Sequence, residues 1–294
     1  MFAQREAGMV PAAELDGIIR SAILDEVYTT PKPGLVDRRD NGAHRDMDVP
    51  LFEASADAVT PYISKMFYTG FVWKDTPERL FQEIRRIGIR GEKAMLQATN
   101  GVNTHKGLIF TMGILAASSG LCKQKYGVFE AEKILSVSSL MTKKVLEEEF
   151  ARMEERSPAT NGERLYARYR ERGIRGQAQK GFPVVGRVAL PLMRRFKKAG
   201  ADENRTNINI LLTILTVIND TNVWGRSSYG EVKWLQDRAE AVLKLGGAFT
   251  ETGMEELRIL NQACIYKNVS PGGAADLLAA TLFLFRLEEL KQEG

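Results

Sequence analysis

Apolar positions recur at helical spacing along almost the whole chain. Leu15, Ile18, Ile19, Ala22, Ile23 and Val27 share one side of a 3.6-residue period, which predicts an amphipathic helix over residues 14–27. The run Thr30-Pro31-Lys32-Pro33-Gly34 ends it, because proline lacks the amide donor and its ring restricts the preceding residue. Residues 35–50 are crowded with charges, glycine and asparagine and show neither apolar period, so they read as an ordered surface loop. The period resumes at Phe52, Ser55, Ala56, Val59 and Ile63.

Thr76 followed by Pro77 has the form of an N-cap with proline at the first helical position. Leu80, Phe81, Ile84, Ile87, Ala94 and Met95 carry that stripe on until Asn100-Gly101. Further helices are predicted over 106–119, 130–150, 231–245, 254–266 and 274–290, the last introduced by Ser270-Pro271, again read as cap then proline. Segment 208–218 is nearly continuously apolar, but Asn209, Thr213 and Thr216 are spaced for one side of a helix, which favours a buried helix over a strand. Residues 152–183, dense in Arg, Glu and Gly, are expected to form a flap within a single domain spanning residues 1–294. With no alternating strand pattern and no fixed repeat, the expected fold class is all-α: one multi-helix globular domain whose polar loops at helix ends form the site.

Composition changes this picture little. A hydrophobic fraction of 44% with 27% charged residues belongs to an ordinary folded domain, and 294 residues can bury a sizeable core. Cys122 and Cys264 lie far apart without C-x-x-C spacing, which argues against a disulfide framework or a thiolate zinc site and points to the cytoplasm. The opening Met-Phe-Ala-Gln-Arg-Glu lacks the basic and apolar regions of a signal peptide, and no stretch reaches the ~20 apolar residues of a membrane span. The 41 basic residues nearly balance 37 acidic ones, and no basic run interleaved with aromatics suggests nucleic acid; a small polyphosphate fits the net charge of +4 equally well.

Four polar segments stand where helices begin or end. In the first, Lys32, Asp37, Arg38, His44, Asp46 and Asp48 fall in a stretch restrained by proline and glycine, and hard carboxylate oxygens of this kind suit Mg²⁺. The alternative is a solvated charged loop. In the second, Asn103, Thr104, His105 and Lys106 precede or open a helix, where amide donors and a cation can gather around a phosphate. Asn103 or Thr104 can equally be a simple cap. The third, Asn219-Asp220-Thr221-Asn222-Val223-Trp224-Gly225-Arg226, offers oxygens to a cation or ribose and a guanidinium to phosphate, or is merely an Asx-rich helix stop. In the fourth, Gly272 and Gly273 leave bare amides in a first helical turn with Asp276 one turn in, features that close helix packing also explains. Both histidines of the chain, His44 and His105, lie in these segments.

In order along the chain, TPKPGLVDRRDNGAHRDMD, Phe52-x-x-Ser55, EKAMLQATNGVNTHKG, GFPVV with ALPLM, NDTNVWGR and SPGGAADLLAATLFL resemble the triphosphoribosyl-dephospho-CoA synthase family, which makes the prosthetic-group precursor of citrate lyase and malonate decarboxylase. The resemblance implies an all-helical fold. It also implies ATP and 3′-dephospho-CoA as substrates, and transfer of the triphosphoribosyl unit to the acceptor's 2′-hydroxyl with release of adenine. The product would pass to a holo-acyl-carrier-protein synthase, and a homodimer is compatible with the family.

Such a pentosyl transfer passes through an oxocarbenium-like state that needs a carboxylate, a base and an acid. On this reading Mg²⁺ gathers the triphosphate with Asp37, Asp46, Asp48 or Asp220. Lys32, Arg38, Lys106 and Arg226 neutralise the remaining charge, while Asn103, Thr104, Asn222, Gly272, Gly273 and Asp276 complete substrate binding. His44, Asp46 and His105 are the catalytic candidates, with either histidine as base or acid. Neither G-x-x-x-x-G-K-[ST] nor G-x-G-x-x-G occurs. A Mg²⁺-dependent ribosyl-bond hydrolase and a non-catalytic nucleotide-binding helical protein are the rival readings.

Overall fold

The computed structural model describes residues 10–153 and 157–290, and every regular element among them is helical. The N-terminal residues that lack the marks of a signal peptide, and residues 154–156 of the expected flap, lie outside the described residues.

Helix α1 (Ala12–Tyr28) leads into the proline loop, and α2 (Val49–Phe71) starts where the Asp48 side chain accepts the Leu51 amide at 2.9 Å. Thr76 caps α3 (Pro77–Ala98) as its sequence predicts, accepting from the Arg79 amide. Then come α4 (Lys106–Tyr126), α5 (Ala131–Met153), α6 (Asn161–Tyr169) and α7 (Gly173–Gln179). The described part of the 152–183 segment thus holds two short helices, anchored by buried Leu165, Tyr166, Ala178 and Phe182. A π-helical turn, Val185–Ala189, feeds α8 (Leu190–Lys198). The apolar run is α9 (Glu203–Val217), a buried helix as its polar spacing predicts. The described residues close with α10 (Thr221–Arg226), α11 (Tyr229–Lys244), a 3₁₀ turn Gly247–Phe249, α12 (Glu251–Lys267) and α13 (Gly272–Glu289).

Two helices form the interior. From Leu108 to Cys122 almost every α4 side chain is buried, and α13 is buried on nearly all sides from Ala274 to Leu284. Such all-round apolarity marks a helix enclosed by others rather than one lying on the surface. Helices α2, α3 and α5 surround α4, while α1, α8 and α9 pack on α13, and α4 and α13 touch each other. This pairing brings the polar starts of both core helices to one place.

Two local readings change. The loop expected on the surface over residues 35–50 starts in the interior: Leu35, Val36 and Asp37 continue a buried stretch that begins at Pro31, and Arg38 is the first exposed residue. Its backbone is satisfied from distant helices, with Asn204 exchanging two hydrogen bonds with Thr30 and Asn261 accepting the Gly34 amide. A loop can be buried only when its amides find such partners. Ser270 does not cap α13, which has Pro271 at its N-cap; the Ser270 hydroxyl instead meets the His44 ring.

Candidate functional site

The starts of α4 and α13, the buried loop and α10 enclose a cavity of about 170 Å³. His44 reaches it from the loop, Asn103, Thr104, His105 and Lys106 from the entry to α4, Asn222 and Arg226 from α10, and Gly272 and Asp276 from α13. A second cavity of about 250 Å³ shares Gly107, Asn222 and Asp276 with the first. It adds Asp220 and Gly273, together with Glu171, Gly173, Ile174 and Gln177 from α7 and the turn before it. The three shared residues come from segments distant in sequence, and Asp276 stands on the wall common to both spaces.

Burial pushes the Asp276 carboxyl well above the usual carboxylate range, and the neighbouring Glu26 and Asp220 carboxylates add to the effect. Among the described residues no cation pairs with it as Lys32 does with Glu26, whose Oε1 lies 2.6 Å from Lys32 Nζ in a buried ion pair. Lys32 also donates to the Glu26 carbonyl at 2.7 Å. The lysine read from sequence as a phosphate ligand is thus held beneath the cavity wall.

Two other acidic candidates bind backbone. One Asp37 oxygen accepts the Lys32 amide at 2.8 Å, and the other accepts the Arg39 and Asp40 amides at 2.7 and 3.2 Å. Asp220 caps α10 by accepting from Asn222 and Val223, and its second oxygen accepts the Ala274 amide at 2.9 Å. That contact engages an amide in the first turn of α13, the turn whose glycines were read as leaving bare amides for an anion or as allowing close helix packing. Burial raises both carboxyls, and the amide donors oppose the rise.

His105 is almost completely enclosed. Its Nδ1 lies 2.6 Å from Ser55 Oγ, to which Thr104 Oγ1 donates at 2.6 Å, and the ring meets Phe52 edge-on at 5.0 Å. Among the described residues its Nε2 has no hydrogen-bond partner. Burial, with the Lys32 charge nearby, pulls the imidazole down to about 3, so it is neutral at ordinary pH. His44 is half-buried, with Nε2 2.8 Å from Ser270 Oγ. Desolvation and the Arg226 charge lower it, against an opposing pull from Asp46.

The remaining candidates lie at or beyond the rim. Asp46 and Asp48 are exposed, Asp48 serving also as the α2 cap. Asn103, two residues before the α4 N-cap His105, accepts the Lys106 amide at 3.2 Å and also lines the cavity. Arg38 faces a different groove, with its guanidinium 3.9 Å above the Tyr28 ring. Among the described residues no three His, Cys, Asp or Glu side chains converge as a metal-ligand set. Glu26 and Glu171 were not singled out from sequence; Glu26 follows Asp25 within the α1 pattern and Glu171 lies between two arginines, and only folding brings each to a cavity wall.

Residues 12–294 match the family described as ATP:dephospho-CoA triphosphoribosyl transferase. The chain is 41% identical over 273 residues to a protein of Azotobacter vinelandii named a probable 2-(5''-triphosphoribosyl)-3'-dephosphocoenzyme-A synthase, covering 92% of this chain and 89% of the relative. Proteins of the same name in Vibrio cholerae and, with the suffix 1, in Salmonella typhi are 37% and 36% identical, covering 92% and 93% of this chain and 86% and 90% of theirs. No solved structure matches significantly. The order of motifs, the helical fold and a match over nearly the whole chain agree, and the chain belongs to the ATP:dephospho-CoA triphosphoribosyl transferase family.

Proposed function

We propose that this chain transfers the triphosphoribosyl unit of ATP to 3′-dephospho-CoA. The acceptor's 2′-oxygen forms a bond to C1′ of the ATP ribose, the bond from C1′ to adenine breaks, and adenine leaves while all three phosphates stay on the product. The observation that carries the reading is the pair of cavities meeting at Asp276. A transfer between two nucleotides needs adjoining spaces with a functional group at their junction. Lys106 and Arg226 border the first cavity, which favours it for the triphosphate of ATP. The second is assigned to the acceptor, and Glu171, Gly173, Ile174 and Gln177 are the part of the expected flap that walls it.

Asp276 takes the proton of the attacking hydroxyl, a role its raised carboxyl suits because a catalytic base works best near the operating pH. His105 faces the same space from the opposite helix, while His44 and Asp46 serve at the rim. Mg²⁺ belongs to the proposal as well. It needs only one or two protein carboxylates beside phosphate oxygens and waters, and the exposed Asp46 and Asp48 next to cavity-lining Met47 fit that modest donor set. Bound there, it supplies charge neutralisation to the triphosphate. Asp37 and Asp220 already direct both oxygens to backbone amides and fit less well.

The same reading carries a cytoplasmic location, a homodimer, and delivery of the product to a holo-acyl-carrier-protein synthase serving citrate lyase or malonate decarboxylase. No helix among the described residues is long and apolar enough to cross a membrane. Incubation with ATP, Mg²⁺ and dephospho-CoA tests the central claim. Adenine together with a product of the mass of dephospho-CoA plus triphosphoribosyl supports it, ribose triphosphate without that adduct points to a hydrolase, and no adenine overturns it. Chelation should abolish the adduct, and added Mg²⁺ should restore it.

A further inference from the structure

We propose that His105 acts as a fixed neutral hydrogen-bond donor to a ring nitrogen of the departing adenine, and that Ser55 is the positioning residue that sets its tautomer. The inference rests on the transferase reading for the identity of the purine, while the tautomer is inferred from the hydrogen-bond chain Thr104–Ser55–His105 taken with the unpartnered Nε2. Thr104 Oγ1 donates to Ser55 Oγ at 2.6 Å, so the serine's own proton is free to point to His105 Nδ1, also 2.6 Å away. Nδ1 is then an acceptor, and the ring's single proton resides on Nε2. That nitrogen is buried and without a partner among the described residues, on a ring that lines the first cavity.

An orphaned N–H is costly unless a ligand atom meets it. Leu35, Met47, Phe52 and Leu108 line the same cavity, giving an apolar wall suited to the face of a purine, with Lys106 and Arg226 available for the phosphates. Phe52 touches the His105 ring directly, so the apolar wall and the donor adjoin. The enclosed Glu26–Lys32 pair lies nearby, and its lysine charge opposes a second proton on the imidazole.

In the reaction the electron pair of the broken bond passes onto adenine, and the Nε2–H hydrogen bond stabilises the charge that develops on its ring nitrogens. His105 keeps its proton. The proton lost by the acceptor hydroxyl balances the one that adenine finally carries, so this histidine need not cycle between charge states.

With only two histidines in the chain, ¹⁵N-histidine labelling gives a spectrum that His105→Gln assigns by subtraction. Near neutral pH the full chain should show His105 protonated on Nε2 and bare on Nδ1, and added adenine should shift that Nε2 signal. Ser55→Ala should mix the tautomers and lower kcat for adenine release by about ten- to a hundredfold with little change in the KM for ATP. Ser55→Thr, which keeps the hydroxyl, should restore the single tautomer. A proton on Nδ1, an imidazolium near neutrality, or a Nε2 signal indifferent to adenine overturns the proposal. The spectrum does not depend on turnover, so failure of the transferase assay and failure of this inference are separable.

Discussion

The Asp276 carboxylate, one turn into α13, lies against Gly107 at the start of α4, so closely that a Cβ built on Gly107 would overlap its Oδ2. The two core helices can therefore set this carboxylate between the cavities only if position 107 has no side chain. Gly107→Ala should push the carboxylate aside while leaving the apolar contacts between the helices in place. Misplacing a reacting group by an ångström can cost about 10²-fold, so kcat should fall by at least about tenfold. Circular dichroism should report a Tm within about 4 °C of the parent, a shift that corresponds to no more than a few kcal/mol here. An unchanged kcat would show that the contact does not position the carboxylate.

Asp276→Asn separates chemistry from stability. Burial and two acidic neighbours raise this carboxyl in the folded state, so the native protein binds the proton more tightly than the unfolded chain does. Stability from this group is then present at low pH and is lost as pH rises from the unfolded value near 3.9 through the raised folded value. The asparagine variant lacks that decline and should melt higher than the parent at neutral pH. Its transferase activity should nevertheless drop by about 10² or more, and the acidic limb of the parent's pH–rate profile should disappear. Lower melting temperature together with retained activity would contradict both halves of the argument.

Sequence and structure agree best where a single helix states its own case. Residues 14–27 show one apolar face, and Thr76-Pro77 carries its own start signal, so both elements were legible. The core helices were legible as helices, but their near-uniform apolarity gave no direction, so nothing indicated that their starts would meet. The site divides the same way. Asn103, His105, Lys106, Asn222, Arg226 and Asp276 all reach the first cavity, because polar residues at the ends of buried helices have few other places to go. Asp37, Asp220 and Lys32 show the limit, since residue type does not reveal which charges are already engaged. Asp220 meets an amide 54 residues away, and Ser55 meets His105 across 50. The Asx-rich segment read as a helix stop also starts α10, because Asp220 is the N-cap of that helix.

Lys32 gives a prediction opposite to that for a phosphate ligand. Its ammonium is buried against Glu26, so Lys32→Met would leave a carboxylate without its counter-charge in the interior. Removing one partner of such a pair typically costs about 3–5 kcal/mol, whereas replacing both with groups of similar size is far milder. Urea unfolding should show that loss for Lys32→Met and recover most of it in Lys32→Met combined with Glu26→Gln. If the single variant kept its stability and only the KM for ATP rose, Lys32 would be a ligand rather than part of the frame.

Arg226 and Lys106 should behave in the reverse manner, because both are exposed at the cavity mouth and neither supports the core. Arg226 sits one turn beyond Asn222 on α10, on the side that faces His44. Its planar guanidinium can bind two phosphate oxygens at once, which a lysine cannot match. Lys106 is already shared with Glu92 at 3.0 Å, which offsets part of its charge. Arg226→Ala should therefore raise the KM for ATP by about tenfold, and Lys106→Ala by a smaller factor, with Tm essentially unchanged in both. Screening adds a second readout: exposed charges act over about 10 Å at 0.1 M salt but only about 3 Å at 1 M. The parent's KM should climb with salt and converge on that of Arg226→Ala, and a parent KM indifferent to salt would remove the triphosphate from this rim.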